Sequence, residues 1–399
     1  MKEIFNLKNL AYFTIMAMPL YIFRFSILGV PTNVFEILAI VSISLFFIRV
    51  VGSKIKLEGS KTYLMPIIMV LAGLLISALY NDAHQSGFGI IKSWFIIPIV
   101  FSWISLQLSE DRKDILKAMH GSAFLVACLS LLYFIAGETT FDGRLQAFYN
   151  SPNFLAMFLA PSIMIGVFLL KENKKIYSMT LSVMLVSLYL TQSYASWIAV
   201  FIAMILLLFL KKDLLKRNFI LILMLIFILF FSLQKGTDKL NRFTNMEERS
   251  SAASRMMIWS SAMKIGLDNP AIGIGPGNFQ NKYLEYQKYF PPYLEWAVPQ
   301  PHNLFLAFWL QAGVLGIVGF LWILFLWFRK FIQKNEKQKE DYICLGIIIY
   351  IMVHGLFDTT YFKNDLAVIF WLIIFYYEKH LSQGDRCGEY FNRKCKTKA

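Results

Sequence analysis

Apolar runs long enough to cross a bilayer follow one another along almost all of this 399-residue chain, and the connections between them alternate between basic and neutral. A hydrocarbon core about 30 Å thick needs about twenty apolar residues per helical crossing, because each backbone amide must find its partner inside its own helix. About twelve runs meet or approach that length, near 11–29, 32–48, 63–79, 88–106, 114–135, 153–170, 176–191, 196–210, 218–233, 303–328, 342–360 and 365–378. Hydrophobic residues make up 57% of the chain and charged ones 16%, against about a quarter charged in soluble domains. The apolar excess therefore faces lipid, and the expected fold is an all-α polytopic membrane protein with about twelve transmembrane helices.

Lys and Arg outnumber Asp and Glu by 39 to 25. Gathered into one patch, that excess would suggest nucleic acid as a partner. It falls instead in short clusters between spans, the positive-inside pattern. The basic connections are Arg49 to Lys61, Arg112 to Lys117, Lys171 to Lys175, Lys211 to Arg217, Arg329 to Lys339 and the tail from Lys379. The short neutral ones are Val30 to Asn33, Asn81 to Gly87 and Thr191 to Ser196. Twelve spans put every basic connection on one face, with both termini cytoplasmic; no nucleic-acid partner is expected. The first run carries no small-residue cleavage site and is expected to stay as a span. Cys128 and Cys344 lie in spans, and Cys387 and Cys395 in the tail, so no disulfide framework is implied. The expected organisation is spans one to nine over 1–233, a large extracytoplasmic loop over 234–302, spans ten to twelve over 303–378 and a cytoplasmic tail over 379–399.

The large loop has internal order. Ser250 or Ser251 is a plausible N-cap for a helix in which Ala252, Met256, Trp259 and Met263 form an apolar stripe. That pattern suits an amphipathic helix lying on the bundle or in the headgroup layer. Asn269-Pro270 ends it. The glycines of Gly273-Ile-Gly275-Pro-Gly277-Asn-Phe279 permit tight turns; no strand precedes them and Pro276 interrupts them, which argues against a dinucleotide fingerprint. The Tyr-rich stretch from Tyr283 to Trp296 suits either a membrane interface or stacking on sugar rings.

Two residues of this loop carry chemistry. Arg255 is either a surface arginine paired to Glu248 or lipid phosphate, or a guanidinium whose fork matches a bound phosphate. His302 stands at the mouth of span ten beside Asn303, where an imidazole could take a proton from a hydroxyl. In the shorter outer loop, Arg144 precedes Pro152-Asn153, with Asn153 a candidate cap. Arg24, Glu36 and Lys92 lie inside expected spans. Arg24 and Glu36 are expected to pair, and Lys92 either snorkels to the outer surface or serves a site.

Taken in order, Arg144 to Ala156, Arg255 to Phe279 and Pro301-His302-Asn303-Leu-Phe-Leu resemble the O-antigen ligase and Wzy-type polymerase superfamily. Arg-x-x-x-Trp leading to Asp-Asn-Pro and Gly-x-Gly-Pro-Gly-Asn-Phe, then His-Asn before a long span, carry the resemblance. It implies a GT-C-like membrane glycosyltransferase of the bacterial plasma (inner) membrane. The donor would be a glycan on undecaprenyl diphosphate and the acceptor a saccharide or lipid A-core, with the reaction on the periplasmic or extracellular side. Under it, Arg255 and His302 are catalytic, and Arg144, Arg255, Trp259, Asn303 and Lys92 bind the diphosphate or glycan. Asp142, Glu285 and Glu295 are alternative bases. The resemblance implies no cofactor and no metal, and makes a chain-length regulator a candidate partner. The family's Ser-Arg pair at span eight is Ser193-Tyr194 here, so Arg144 or Lys92 would have to stand in for that arginine. A polymerase is favoured over a ligase, and a flippase is the alternative of another class, though transport sites usually lie at the bilayer midplane rather than in an outer loop.

Overall fold

The computed structural model describes residues 2–52, 61–109, 111–210, 225, 227–235, 251–291 and 298–376. The protein is an all-α polytopic membrane protein with one small β-hairpin. The helices are α1 (Lys2–Met16), α2 (Val34–Gly52), α3 (Leu64–Tyr80), α4 (His84–Ile90), α5 (Ile97–Leu108), α6 (Lys113–Ile135), α7 (Pro152–Leu169), α8 (Lys174–Leu190), α9 (Tyr194–Leu210), α10 (Ser251–Asp268), α11 (Phe279–Tyr286), α12 (Leu304–Gln333), α13 (Lys339–Gly355) and α14 (Asn364–Tyr376). Among the described residues, six helical segments are long and apolar enough to cross a membrane: Val34–Val51, Lys61–Tyr80, His84–Leu108, Lys113–Ile135, Pro152–Leu169 and Leu304–Gln333. The window over α7 is 78% buried, so that helix sits inside the bundle rather than at its rim.

The first run departs from expectation. Its apolarity predicts one span to residue 29, but α1 stops at Met16, a short 3-10 turn runs over Met18–Ile22, and Arg24–Ile27 pairs antiparallel with Val30–Asn33. Pro19 lacks the amide that would continue the helix, and Leu28 and Gly29 turn the hairpin with positive φ of 50° and 79°. Apolarity alone had suggested a helix where the turn residues make a ribbon.

The segment read as span ten is broken. Gly313 takes φ 61° and ψ −160° inside α12. The loop after α10 fills the break: Ala271 O accepts from Val314 N at 3.0 Å and Ile274 N donates to Leu310 O at 2.7 Å. A methyl group on Gly313 would stand 2.1 Å from Ala271 O. The run Gly273, Gly275, Gly277 turns with φ of 76°, 88° and 86°, as its composition requires.

The loop helix α10 buries a different face from the stripe its sequence suggests. Its buried side is Met257, Ile258, Ala262 and Ile265, packed with Ile274, Phe279, Tyr283, Val298 and Leu310. The stripe through Met256 and Met263 faces outward, with Met256 66% exposed. Trp259, Ser260, Met263, Lys264, Leu267 and Asp268 line an open cleft of about 540 Å³ on that outer side. The helix is apolar on two faces, and docking on α12 selects one of them. Ser250 and Glu248 lie outside the described residues, as do Glu295, Cys387 and Cys395.

Candidate functional site

Five segments meet at one end of the bundle: the loop before α7, the turn between α8 and α9, the first turns of α10, the entry to α12 and the turn between α13 and α14. At the other end lie the starts of α6, α8 and α13, tied by ion pairs between Lys117 and Glu172 (2.8 Å) and between Lys113 and Glu340 (3.4 Å). That end carries the basic connections Arg112 to Lys117, Lys171 to Lys175 and Arg329 to Lys339.

Asp358 is the centre of the cluster, 1% exposed in the turn after α13. Its Oδ1 lies 3.1 Å from His302 Nδ1 and accepts from the Thr359 amide at 2.8 Å. Its Oδ2 accepts from Asn153 Nδ2 at 2.9 Å. Asn153 Oδ1 in turn accepts from Arg144 Nη2 at 2.9 Å, and Arg144 Nε donates to Thr191 O at 2.9 Å. One chain of contacts thus joins Thr191, Arg144, Asn153, Asp358 and His302. Burial pushes the Asp358 carboxyl up, but His302, through its charge and hydrogen bond, and the charges of Arg255 and His354 outweigh it and hold the group below the usual carboxylate range. Burial lowers the Arg144 pKa, Asp142 opposes that, and Arg255 adds to the lowering. Arg255 is tied to Phe357 O, and Arg144 through Asn153 to Asp358, so both guanidiniums belong to one cluster, an arrangement that favours a bound anion.

His302 sits in the left-handed region, φ 48°. A non-glycine residue there costs about 1 kcal/mol or more, and its neighbours hold it there. Asn303 Oδ1 caps α12 by accepting from the amides of Phe305 and Leu306, both at 3.0 Å. Asn303 Nδ2 donates to Leu356 O at 3.1 Å. Trp259 Nε1 donates to His302 O at 3.1 Å. The bend aims the Nδ1 side of the ring at Asp358 and leaves Nε2 without a protein partner among the described residues; the side chain is 34% exposed. Asp358 thus fixes which ring nitrogen is outward.

Arg255, one turn before Trp259, donates from Nε to Phe357 O at 2.9 Å. Its two terminal amino groups have no protein partner among the described residues. The side chain is anchored by its neck, with the phosphate-matching fork open.

Of the residues singled out by sequence, the structure brings together His302, Arg255, Arg144, Trp259 and Asn303. Lys92 is elsewhere. It lies in the π-helical turn Ile91–Ile96, 2.8 Å from Glu36 Oε2. Glu36, 1% exposed, also accepts from Asn364 Nδ2 (3.0 Å) and Thr32 Oγ1 (3.1 Å). Glu36 therefore pairs with Lys92 and not with Arg24, as had been expected. We predict that Lys92→Met leaves activity within a few-fold but destabilises the protein by about 1–3 kcal/mol, since it strands a buried carboxylate. Adding Glu36→Gln should restore most of the loss in a melting experiment on detergent-purified protein; a Lys92→Met protein of full stability and no activity would return Lys92 to the site.

Among the alternative bases, Glu285 is spent on Lys282 at 2.9 Å on the exposed face of α11. Two residues were missed. The sequence makes Asn153 a candidate cap, but Ser151 caps α7, accepting from the Asn153 amide at 3.2 Å, which frees the Asn153 side chain for Arg144 and Asp358. Asp358 was hidden inside the apolar run 342–360. The usable signal was a carboxylate four residues after His354, in Phe357-Asp358-Thr-Thr, where α13 ends at Gly355.

Residues 179–321 match the family model described as O-Antigen ligase. A comparison with curated proteins finds no match. The matched segment includes Tyr194, Arg255, Trp259, His302 and Asn303, and leaves Arg144 and Asp358 outside it.

Proposed function

We propose that this chain, whose residues 179–321 match the O-Antigen ligase family model, moves a glycan from undecaprenyl diphosphate to an acceptor sugar hydroxyl. The observation that carries the reading is the pairing of an open guanidinium fork with an imidazole whose rear nitrogen is held by a buried carboxylate. The reaction is a single inverting displacement. His302 Nε2 takes the proton of the acceptor hydroxyl, whose oxygen attacks the anomeric carbon as the bond to the diphosphate oxygen breaks. The leaving diphosphate keeps the electron pair, and Arg255 with Arg144 offsets its growing charge. The proton stays on His302, where Asp358 stabilises the imidazolium. Asn303 and Trp259 position His302 rather than hold substrate. Beside Thr191 and Tyr194, the Arg144 guanidinium stands in for the arginine absent at Tyr194.

The favoured acceptor is a second lipid-linked repeat unit, making the protein a polymerase of the plasma membrane with the site on the extracytoplasmic face. The family match bears equally on a ligase that uses lipid A-core. A gel profile of surface glycan from a deletion strain separates these readings. Loss of the ladder with single units retained is expected. Loss of all lipid A-linked glycan marks the ligase, and cytoplasmic build-up of precursor would mark a flippase and end the transferase reading.

A further inference from the structure

The turn that carries Asp358 runs on to Lys363, whose ammonium lies 4.3 Å from the centroid of the Phe154 ring, next in sequence to Asn153. Among the described residues this ammonium has no ion pair and no hydrogen bond. Asp365, two residues on, is committed elsewhere: Oδ2 accepts from Tyr149 OH at 3.2 Å and Oδ1 from the Leu366 amide at 2.9 Å. Tyr149 lies 6.3 Å, ring to ring, from Tyr21. Tyr21 leads into Arg24, an exposed arginine that is likewise without an ion pair among the described residues, because Glu36 belongs to Lys92. Burial, the largest influence, lowers the Lys363 pKa, and Arg24 adds to it against Asp365 and Asp358. A half-buried ammonium that rests on a ring, with no carboxylate in contact among the described residues, is a place that gains from an anion.

We infer that Lys363, assisted by Arg24, forms a second anion subsite on the Asp358 turn, which holds an acidic group of the acceptor sugar close to the attacking hydroxyl. In an in-line displacement the attacking hydroxyl and the departing diphosphate lie on opposite faces of the anomeric carbon. Arg255, on Phe357 O, serves the departing side. Lys363 stands on the same turn as Asp358, packed on Phe154 next to Asn153, and shares none of the hydrogen bonds of Arg255, and so serves the attacking side. The acceptor class is an acidic saccharide, its charge a uronate carboxylate or a phosphate ester. Assigning the ligand as acceptor rests on the transfer reading; the binding preference does not.

The test is equilibrium binding of octyl glucuronide, octyl glucoside 6-phosphate and octyl glucoside to full-length protein in detergent. The wild type should prefer one or both acidic glycosides over the neutral one by about ten-fold or more, the usual size of a charge-assisted contact, and the stronger of the two names the anion. Lys363→Gln should erase the preference while leaving octyl glucoside affinity unchanged, and Lys363→Arg should keep it. His302→Ala should also keep it, so a loss of transfer chemistry is told apart from a loss of this subsite. Equal binding of all three glycosides by the wild type, or an undiminished preference in Lys363→Gln, overturns the inference. Should Lys363→Gln fail to fold, the exposed Arg24→Gln decides, and a preference it leaves at the wild-type value overturns the inference as well.

Discussion

His302→Ala is expected to slow glycan transfer by about three orders of magnitude, the middle of the range for a positioned general base. Alanine is the proper replacement because it meets the same left-handed backbone as histidine, whereas glycine would also change the unfolded chain. Asp358→Asn should cost about two orders of magnitude. The carboxylate spends one oxygen on His302 and the Thr359 amide and the other on the Asn153 amide. An asparagine offers one oxygen and one amino group, so it either faces the Asn153 amino group with its own or turns a donor toward the Thr359 amide and reverses the tautomer imposed on His302. The double variant carries the decisive information. If Asp358 acts through His302, the pair should be no slower than His302→Ala alone. Transfer from purified, reconstituted protein checks this, with melting temperature as the control for folding. Penalties that multiply in the double variant, or full activity in Asp358→Asn, would sink the dyad.

The parts of this site that the sequence makes legible are those in the polar loop. His302 and Arg255 stand out because charge is rare in a chain that is otherwise lipid-facing, and Pro-His-Asn stands where the polar loop meets a long apolar run. Direction within the apolar parts is hidden. Lipid and protein core are equally apolar, so hydropathy does not say which face of α10 is buried or whether a run is one helix. Met256 and Met263 made as good a stripe as Met257, Ile258 and Ile265, and docking on α12 chose the latter. For the same reason, run 11–29 concealed a hairpin, span ten concealed the break at Gly313, and run 342–360 concealed Asp358. The pairing of Glu36 with Lys92 rather than Arg24 needed the third dimension: it joins residues 56 positions apart at 2.8 Å.

Arg255 should prove as demanding as His302, and for a different reason. Its Nε holds Phe357 O, one residue before Asp358, so the side chain both anchors that turn and presents its fork. Arg255→Gln is expected to lower kcat/KM for the lipid-linked donor by about 10²–10³-fold, the usual cost of removing one group that meets transition-state charge. Arg255→Lys should recover a small part of that. An ammonium can reach Phe357 O or a phosphate, but a single point charge cannot do both in the fixed geometry of a guanidinium. The donor itself separates the two roles. With a donor that leaves as a monophosphate, less charge develops, and the Arg255→Gln penalty should shrink by about ten-fold, while the His302→Ala penalty, which concerns the acceptor proton, should not move. A penalty for Arg255→Gln that is the same for both donors would mean that the residue only fastens α10 to the turn after α13, and the leaving-group role would have to pass to Arg144.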